Sequence, residues 1–351
     1  MTFYLSITFN MSKNKILYLF VFIHSINFGQ VGGQSVYQFL NLNNSPRQAA
    51  LGGKILTLRD NDPNQAQFNP ACINEEMDNH LAINYGSYFG EATYGTMNYA
   101  YTFDRHVQTF YAGAQYINYG KFDGYNAIGQ QTGTFTGSEA ALTGGYGYNI
   151  PYSDFYLGIN AKLITSQLES YSSFGGAVDL GFLFIDERND VNWAFAIRNL
   201  GTQFTSYNNI RESLPTEVMI GVSQEVENVP IRWHITFENL QQWKIAFANP
   251  NRAVASIEGD SEPEKVSFLN NVLRHTIIGV ELFPQKSFNL RLGYNFRRGE
   301  ELSIIDQRNF SGMCLGFGLK INNLKLNYSY CRYSLAANTS LFGLTINFNE
   351  E

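Results

Sequence analysis

Two of the three cysteines are spaced so that they could bond to each other. The alternating residues on either side of positions 322–323 predict two strands, and the Asn-Asn pair suits a two-residue hairpin turn between them. That register places Cys314 directly opposite Cys331, as a non-hydrogen-bonded pair with Cα atoms about 4.5 Å apart. A disulfide can span this separation, so the pair is a candidate disulfide, with two reduced thiols as the alternative. Cys72 has no second cysteine at C-x-x-C spacing.

The other residue types form no pattern for catalysis or metal binding. No histidine has a second ligand at metal spacing; the five are His24, His80, His106, His234 and His275. One acidic stretch could hold a divalent cation loosely, but a solvated loop is the favoured interpretation; it contains Glu258, Asp260, Glu262 and Glu264. No G-x-S-x-G, phosphate-loop or dinucleotide motif occurs. We therefore expect no enzymatic activity, no cofactor and no metal site.

The elements that would position these residues are β-strands. From residue 80 onward, apolar and aromatic residues alternate with small or polar ones at period two, which is typical of strands with one apolar face. We predict an all-β fold, an antiparallel transmembrane β-barrel of about fourteen strands. The predicted strands are 80–89, 93–103, 106–119, 136–149, 154–168, 173–185, 191–199, 216–226, 231–239, 276–283, 287–296, 310–321, 324–333 and 339–348.

The connections between these strands alternate in length. Outer-membrane barrels have short periplasmic turns and longer external loops, and even-numbered strands here are followed by short turns. The long connections are 120–135, 200–215, 240–275 and 297–309. A soluble β-sandwich, the second architecture considered, would not predict this rhythm.

Composition agrees with a membrane barrel and excludes one class of partner. Charged residues make up 15% of the chain, below the roughly 25% of soluble domains. The formal net charge is −6, and lysine and arginine form no basic stripe, so we expect no nucleic-acid partner. Outer-membrane lipid is the expected surrounding of the apolar face.

The N-terminal region divides into two parts. Residues 1–29 have the basic and apolar regions of a secretory signal peptide, and translation could start at Met11. Residues 30–79 lack strand alternation, and we predict that they form a plug inside the barrel, with an unstructured tail as the alternative. Ser45 and Pro46 would begin a short helix there. Residues 80–351 would form the barrel.

The predicted loop at 240–275 is the best candidate for contact with a partner. Trp243 and Phe247 are four residues apart, and Val266, Leu269 and Leu273 recur at helical spacing. Two short amphipathic helices could therefore lie at the outer mouth. They would either cap the barrel or receive a partner.

The segment before the first strand resembles the N-terminal hatch of the FadL/PorV-type outer-membrane superfamily. The similar stretches are Ser-Pro-Arg-Gln-Ala-Ala-Leu-Gly-Gly at 45–53, the acidic Asp60 and Asp62, and Asn-Pro-Ala at 69–71. Pro46 and Ile73 depart from the small residue and the leucine expected there. The residues that match the plug motif are Arg47, Ala50, Leu51, Gly52, Gly53, Asn69, Pro70 and Ala71.

More narrowly, Gly-Gln-Ser-Val-Tyr-Gln-Phe-Leu at 33–40 resembles the mature start of the PorQ-like family of the type IX secretion system of Bacteroidetes. This resemblance implies a non-enzymatic outer-membrane barrel that anchors a PorZ-like surface protein. The implied attachment complex also includes a PorU-type sortase and a PorV-type barrel. The alternative is a FadL-type transporter of hydrophobic compounds, and a general porin is the third candidate.

Overall fold

A computed structural model describes residues 35–88, 90–104, 108–208, 210–246, 254–255, 261–262, 267–301, 310–333 and 338–349. The predicted signal peptide lies outside these residues. So do Phe247 and Val266, two of the candidate partner contacts.

Fourteen antiparallel strands of the described chain close into a barrel, as predicted, with the first strand paired to the last. They are β1 (His80–Ser87), β2 (Thr93–Asp104), β3 (Gln108–Tyr125), β4 (Gln131–Asn149), β5 (Phe155–Leu168), β6 (Tyr171–Asp186), β7 (Val191–Thr205), β8 (Glu217–Glu225), β9 (Ile231–Phe237), β10 (Thr276–Leu282), β11 (Phe288–Asn295), β12 (Met313–Ile321), β13 (Leu324–Arg332) and β14 (Asn338–Asn347).

Each strand turns alternate side chains to opposite faces of the wall. In β12, Met313, Leu315 and Phe317 are exposed on the outside, whereas Cys314 and Gly318, on the opposite face, are buried. The same alternation around the barrel produces an apolar outer surface, which is the surface that a lipid bilayer requires.

No helix in the described part of the chain has the length and apolar character needed to cross a membrane.

Two predicted connections are partly strand, and the loops between the strands are shorter than expected. Residues 120–135 were expected to be a loop, but β3 continues to Tyr125 and β4 begins at Gln131. The pairing of β3 with β4 shifts register between Asn118 and Lys121, so side chains of β3 after this point face the opposite way. A search for alternating apolar residues therefore does not recognise this part of the strand. β7 likewise extends six residues beyond its predicted end at residue 199.

The described N-terminal segment, residues 35–79, lies inside the barrel and is called the plug here. Its short helices are Gln38–Asn41, α1 (Pro46–Ala50), Pro63–Gln67, Pro70–Cys72 and Glu75–Met77. Four of them begin at a residue whose side-chain oxygen accepts from a backbone N–H in the first turn; the capping residues are Ser45, Asp62, Asn69 and Asn74. Since the plug forms no strands, its backbone N–H groups at these helix starts are hydrogen-bonded by side chains.

Two helices lie beyond the barrel ends of the strands, α2 (Phe268–Arg274) and α3 (Phe296–Glu301). A two-stranded ladder pairs Val254–Ala255 with Ser261–Glu262. The prediction of a helix at Trp243 is wrong for the residues that can be described, since 243–246 are irregular. The Trp243 carbonyl instead accepts from the side chains of Asn271 and His275, which hold this segment against α2.

Candidate functional site

The plug passes so close to the wall that the wall carries glycine at the contacts. A Cβ on Gly293 would stand 2.0 Å from the Gly52 nitrogen of the plug. A Cβ on Gly158 would stand 2.1 Å from the Pro70 carbonyl carbon, and one on Gly181 would stand 2.1 Å from Asn69 Oδ1. Any larger side chain at these wall positions would displace the plug backbone.

A buried arginine of the plug makes the first electrostatic link to the wall. Arg47, in α1, donates from Nε and Nη2 to the two carboxylate oxygens of Glu281 on β10, at 3.2 and 2.9 Å. Its Nη1 donates to Asp60 of the plug at 2.6 Å and lies 3.8 Å from Asp62. The guanidinium therefore uses its fork to join two segments of the plug to one strand of the wall.

The Glu281 carboxylate is shared with two arginines of the wall. Arg291 on β11 donates from Nε to Glu281 at 2.8 Å, and its Nη1 donates to Asn327 on β13. Arg232 on β9 lies 3.5 Å from Glu281 and 3.8 Å from Asp60. Glu281 is therefore the centre of a network of opposite charges between α1 and strands β9 to β11, which we call the arginine lock.

Neighbouring opposite charges keep Arg47 and Asp60 of the plug ionised. Burial alone would raise the pKa of Asp60, but the nearby Arg47, Lys325 and Arg232 outweigh it and lower that pKa below its ordinary value. Burial would lower the pKa of Arg47, but Asp60, Glu281 and Asp62 raise it well above its ordinary value. Both groups are thus fully charged at neutral pH.

A second link lies a few residues further along the plug. Lys54 donates to Glu217 of β8 at 2.5 Å and lies 3.2 Å from Glu238, just beyond β9. Arg198 of β7 lies 3.4 Å from the same Glu217 carboxylate and donates to the Leu40 carbonyl of the plug at 3.1 Å. We call this group the lysine lock.

The Asn-Pro-Ala motif makes the third contact, through hydrogen bonds rather than ion pairs. Asn69 Oδ1 accepts from the Ala71 nitrogen at 3.0 Å, and its Nδ2 donates to the Leu56 carbonyl at 2.7 Å. Nδ2 also lies 3.4 Å from the Phe182 carbonyl of β6. The side chain thus ties the turn at Pro70 both to the plug and to the wall.

The rest of the plug motif lies at the end of α1 and in the loop that follows it. Ala50, Leu51 and Gly52 run beside β11 and β12, and the Leu51 carbonyl lies 2.9 Å from His234 Nε2 on β9. Gly52 and Gly53 adopt positive φ angles of 93° and 149°. A side chain would be strained at both positions, which explains the Gly-Gly pair at the end of the motif.

The two barrel cysteines lie where the turn at 322–323 places them. Cys314 and Cys331 face each other across β12 and β13 and form a disulfide, with Cα atoms 4.2 Å apart. Both are buried beneath α1, and the Cys331 sulfur lies 3.3 Å from the Ala49 carbonyl. Cys72 is a buried thiol beside the Leu56 carbonyl, and burial raises its pKa. Its thiolate, the reactive form, is therefore disfavoured.

An aromatic surface lies at the end of the barrel that carries the long connections, which is the external end by the rule for outer-membrane barrels. The Trp243 ring stacks on His275 at 5.2 Å and contacts Phe268 of α2 at 5.7 Å. Trp243, Leu269 and Leu273 are exposed, with Leu269 66% accessible. The structure therefore brings together the three candidate partner contacts that it describes.

The opposite rim holds two small cavities. One, of about 170 Å³, is lined by charged residues that include Asp186, Asp190 and Arg232. The other, of about 20 Å³, lies between Asp62 and Lys325. Within the described ranges, no three histidine, cysteine, aspartate or glutamate side chains are placed to hold a metal ion.

Sequence reasoning found Arg47, Asp60 and Asn69 on the plug side of these contacts, but it missed Lys54 of the plug and the whole wall side. Arg47 and Asp60 belong to the recognised motif, whereas Glu281, Glu217 and Arg198 were not singled out. The sequence could have identified these three wall residues, because each is a charged residue at an inward-facing position of a strand that contains few other charges. Such residues need an opposite charge inside the lumen.

The fold is similar to that of solved outer-membrane barrels. The structure described as "TodX monoaromatic hydrocarbon channel deltaS2 mutant" superposes with a TM-score of 0.53 at 11% identity, over 87% of this chain and 97% of that chain. The "KdgM porin" matches with a TM-score of 0.32 at 7% identity, over 77% and 99% of the two chains. "CdiB from Acinetobacter baumannii" matches at 0.34 and 8%, over 76% and 59%.

No protein-family model matches the sequence, and no curated protein matches it. The TodX similarity, at 11% identity, shows the fold alone. That fold agrees with the fourteen-stranded barrel and its apolar outer surface. The chain is an outer-membrane β-barrel with an N-terminal segment inside its lumen.

Proposed function

We propose that this barrel is a non-enzymatic component of the type IX secretion system that anchors a PorZ-like surface protein. The partner would belong to an attachment complex with a PorU-type sortase and a PorV-type barrel. Support for this identity comes from the PorQ-like sequence at residues 33–40 and from the plug motif. No cofactor or metal is part of the proposal.

The observation that carries the anchoring role is the fixed plug. The arginine lock and the lysine lock join the plug to strands β7 to β11 through buried opposite charges. Removing one partner of a buried ion pair typically costs about 3–5 kcal/mol, so each lock strongly opposes movement of the plug. An anchor needs a rigid platform and no open lumen.

The surface that would receive the partner is the aromatic one at the external end. Trp243 is held in place by its stack on His275, while Leu269 and Leu273 stay accessible. Tryptophan is among the residues most often found at the energetic centre of protein interfaces, so Trp243 is the expected anchor of this contact. Phe247 and Val266 complete the proposed contact set from the sequence.

The test is affinity purification of the tagged barrel from native outer membranes in mild detergent, with mass spectrometry of the proteins and lipids that elute. We expect a stoichiometric surface protein, and we expect its loss when Trp243 and Leu269 are both replaced by serine. The variant Tyr152→Ser, at an exposed position in a short turn of the opposite rim, is the matched control and should retain the partner. A barrel that elutes without any surface protein would contradict the anchoring role.

The second candidate is a FadL-type transporter of hydrophobic compounds. It is favoured by the fold shared with a hydrocarbon channel and by exposed aromatic side chains at the external mouth. This function requires the plug to move and a hydrophobic ligand to bind. Bound fatty acid or hydrocarbon in the eluate, in place of a surface protein, would favour the transporter.

A further inference from the structure

The disulfide lies in the part of the wall that the plug crosses. Gly293, Cys314 and Cys331 are register partners in one inward-facing row across β11, β12 and β13. A Cβ on Gly293 would stand 2.0 Å from the Gly52 nitrogen of the plug, and the Cys331 sulfur lies 3.3 Å from the Ala49 carbonyl. Residues 49–52 of the plug therefore run along the row that contains the disulfide.

The plug packs closely against this part of the wall. Gly316 is the next inward residue of β12 after Cys314, and a Cβ there would stand 2.5 Å from the Ala50 Cβ. Ala49 and Ala50 are 1% and 0% accessible. Cys314 and Cys331 are 1% and 2% accessible, so the disulfide is covered on its lumenal side.

Side chains of the wall complete the cover. Tyr94 of β2 and Leu341 of β14 belong to the same buried apolar cluster as the two cysteines and Ala49. The Tyr94 hydroxyl donates to the Asn43 carbonyl of the plug at 2.8 Å. This part of the cover is therefore itself joined to the plug.

The covered position restricts when the bond can form. A disulfide forms by exchange: one cysteine thiolate attacks a donor disulfide, and the second thiolate then displaces the donor from the mixed disulfide. Two electrons pass to the donor, which leaves as a dithiol, and the two thiol protons go to water. Both steps require contact between a donor sulfur and Cys314 or Cys331. A donor of protein size cannot make this contact while α1 covers them.

We propose that the disulfide forms before the plug docks, and that the docked plug then shields it. A thiol–disulfide exchange with a disulfide-donating oxidoreductase of the periplasm therefore precedes docking. The bond becomes reducible only when α1 leaves the wall, so reduction of Cys314 and Cys331 reports movement of the plug. The inference does not rest on the proposed function, because it applies to an anchor and to a transporter alike.

The test measures reduction of the bond by dithiothreitol in native outer membranes. After an acid quench, unfolding and labelling with a polyethylene-glycol maleimide, an oxidised chain carries one label, on Cys72, and a reduced chain carries three. We expect reduction of the folded barrel to be at least about tenfold slower than reduction of the urea-unfolded chain, because a buried bond reacts only after local opening. Equal rates would overturn the proposal.

Two glycine variants show whether the plug is the cover. Gly293→Ala places a methyl group where the plug backbone lies, whereas Gly144→Ala places one where nothing lies within 4 Å. Both variants are first shown to migrate as folded barrels in unheated gels. Reduction of Gly293→Ala should be at least about tenfold faster than reduction of Gly144→Ala, which should match wild type. If the two variants are reduced at the same rate, the plug does not shield the bond.

A second measurement tests the order of events without a substitution. Wild type is refolded into lipid vesicles in dithiothreitol, washed, and exposed to oxidised glutathione beside a sample of the unfolded chain. We expect the folded barrel to keep three thiols while the unfolded chain closes the bond. A reduced chain that refolds only after oxidation would support the same order. Rapid closure of the bond in the folded, reduced barrel would overturn it.

Discussion

Replacement of Glu281 by glutamine should destabilise the folded barrel. The carboxylate accepts from Arg47 at 2.9 and 3.2 Å and from Arg291 at 2.8 Å, and it is 2% accessible. Glutamine keeps the shape and one acceptor oxygen but removes the negative charge from a site that holds three arginines.

The expected magnitude follows from the cost of breaking a buried ion pair, about 3–5 kcal/mol. Arg47 keeps Asp60, and Arg291 keeps Asn327, so the lower end of that range applies. We expect Glu281→Gln to lower the free energy of unfolding by about 3 kcal/mol, a change of about 100-fold in the equilibrium constant.

The assay is reversible urea unfolding in lipid vesicles, followed by tryptophan fluorescence and by gel migration of the folded barrel. Glu301→Gln is the matched control, because Glu301 pairs with Arg297 at 3.0 Å on an exposed helix. Such surface pairs contribute less than about 1 kcal/mol. If the two variants lose the same small amount of stability, the arginine lock does not hold the plug and the reasoning is refuted.

Three further predictions concern acid, the disulfide and the wall glycines. Asp60 has a lowered pKa in the fold, so it adds stability above its unfolded pKa of about 3.9, and that contribution is lost as pH falls through the lower folded pKa. Unfolding curves of wild type and Asp60→Asn should therefore differ at pH 7 and converge as the pH falls through that lowered pKa. Joint replacement of Cys314 and Cys331 by alanine should cost about 3 kcal/mol in the urea assay, since the disulfide closes a loop with a sequence separation of 17; an unchanged midpoint would contradict this. Gly293→Ala should displace the plug and raise single-channel conductance in planar bilayers, whereas Gly144→Ala, where a Cβ meets nothing within 4 Å, should leave conductance at the wild-type level.

The strand pattern could be predicted from sequence because lipid and lumen impose opposite polarity on alternate residues. This is clearest in β12 and β13, where the Asn-Asn turn fixed the register and with it the pairing of Cys314 with Cys331. The continuation of β3 and β4 through residues 119–136 was missed because the register shift near Gly120 interrupts the alternation.

The locks could not be predicted, since each depends on a contact between distant parts of the chain. Arg47 and Glu281 are 234 residues apart, and the plug has no periodicity that would set its position against the strands. The motif resemblance identified Arg47 without identifying its partner. The expected helix at Trp243 failed for a related reason, because the side chains of Asn271 and His275 take the carbonyl that a helix would have used.

The positions of the two locks bear on the choice between anchor and transporter. Arg47 and Lys54 lie on the same short stretch of the plug and hold it to one side of the wall, through Glu281 on β10 and Glu217 on β8, with β9 between these two strands. Movement of this stretch must separate both sets of buried pairs at once, which opposes spontaneous opening by this route. A transporter would have to offset this cost with ligand binding, whereas an anchor requires no movement. Glu281→Gln therefore also tests the transporter: it should speed the uptake of any compound that passes the plug.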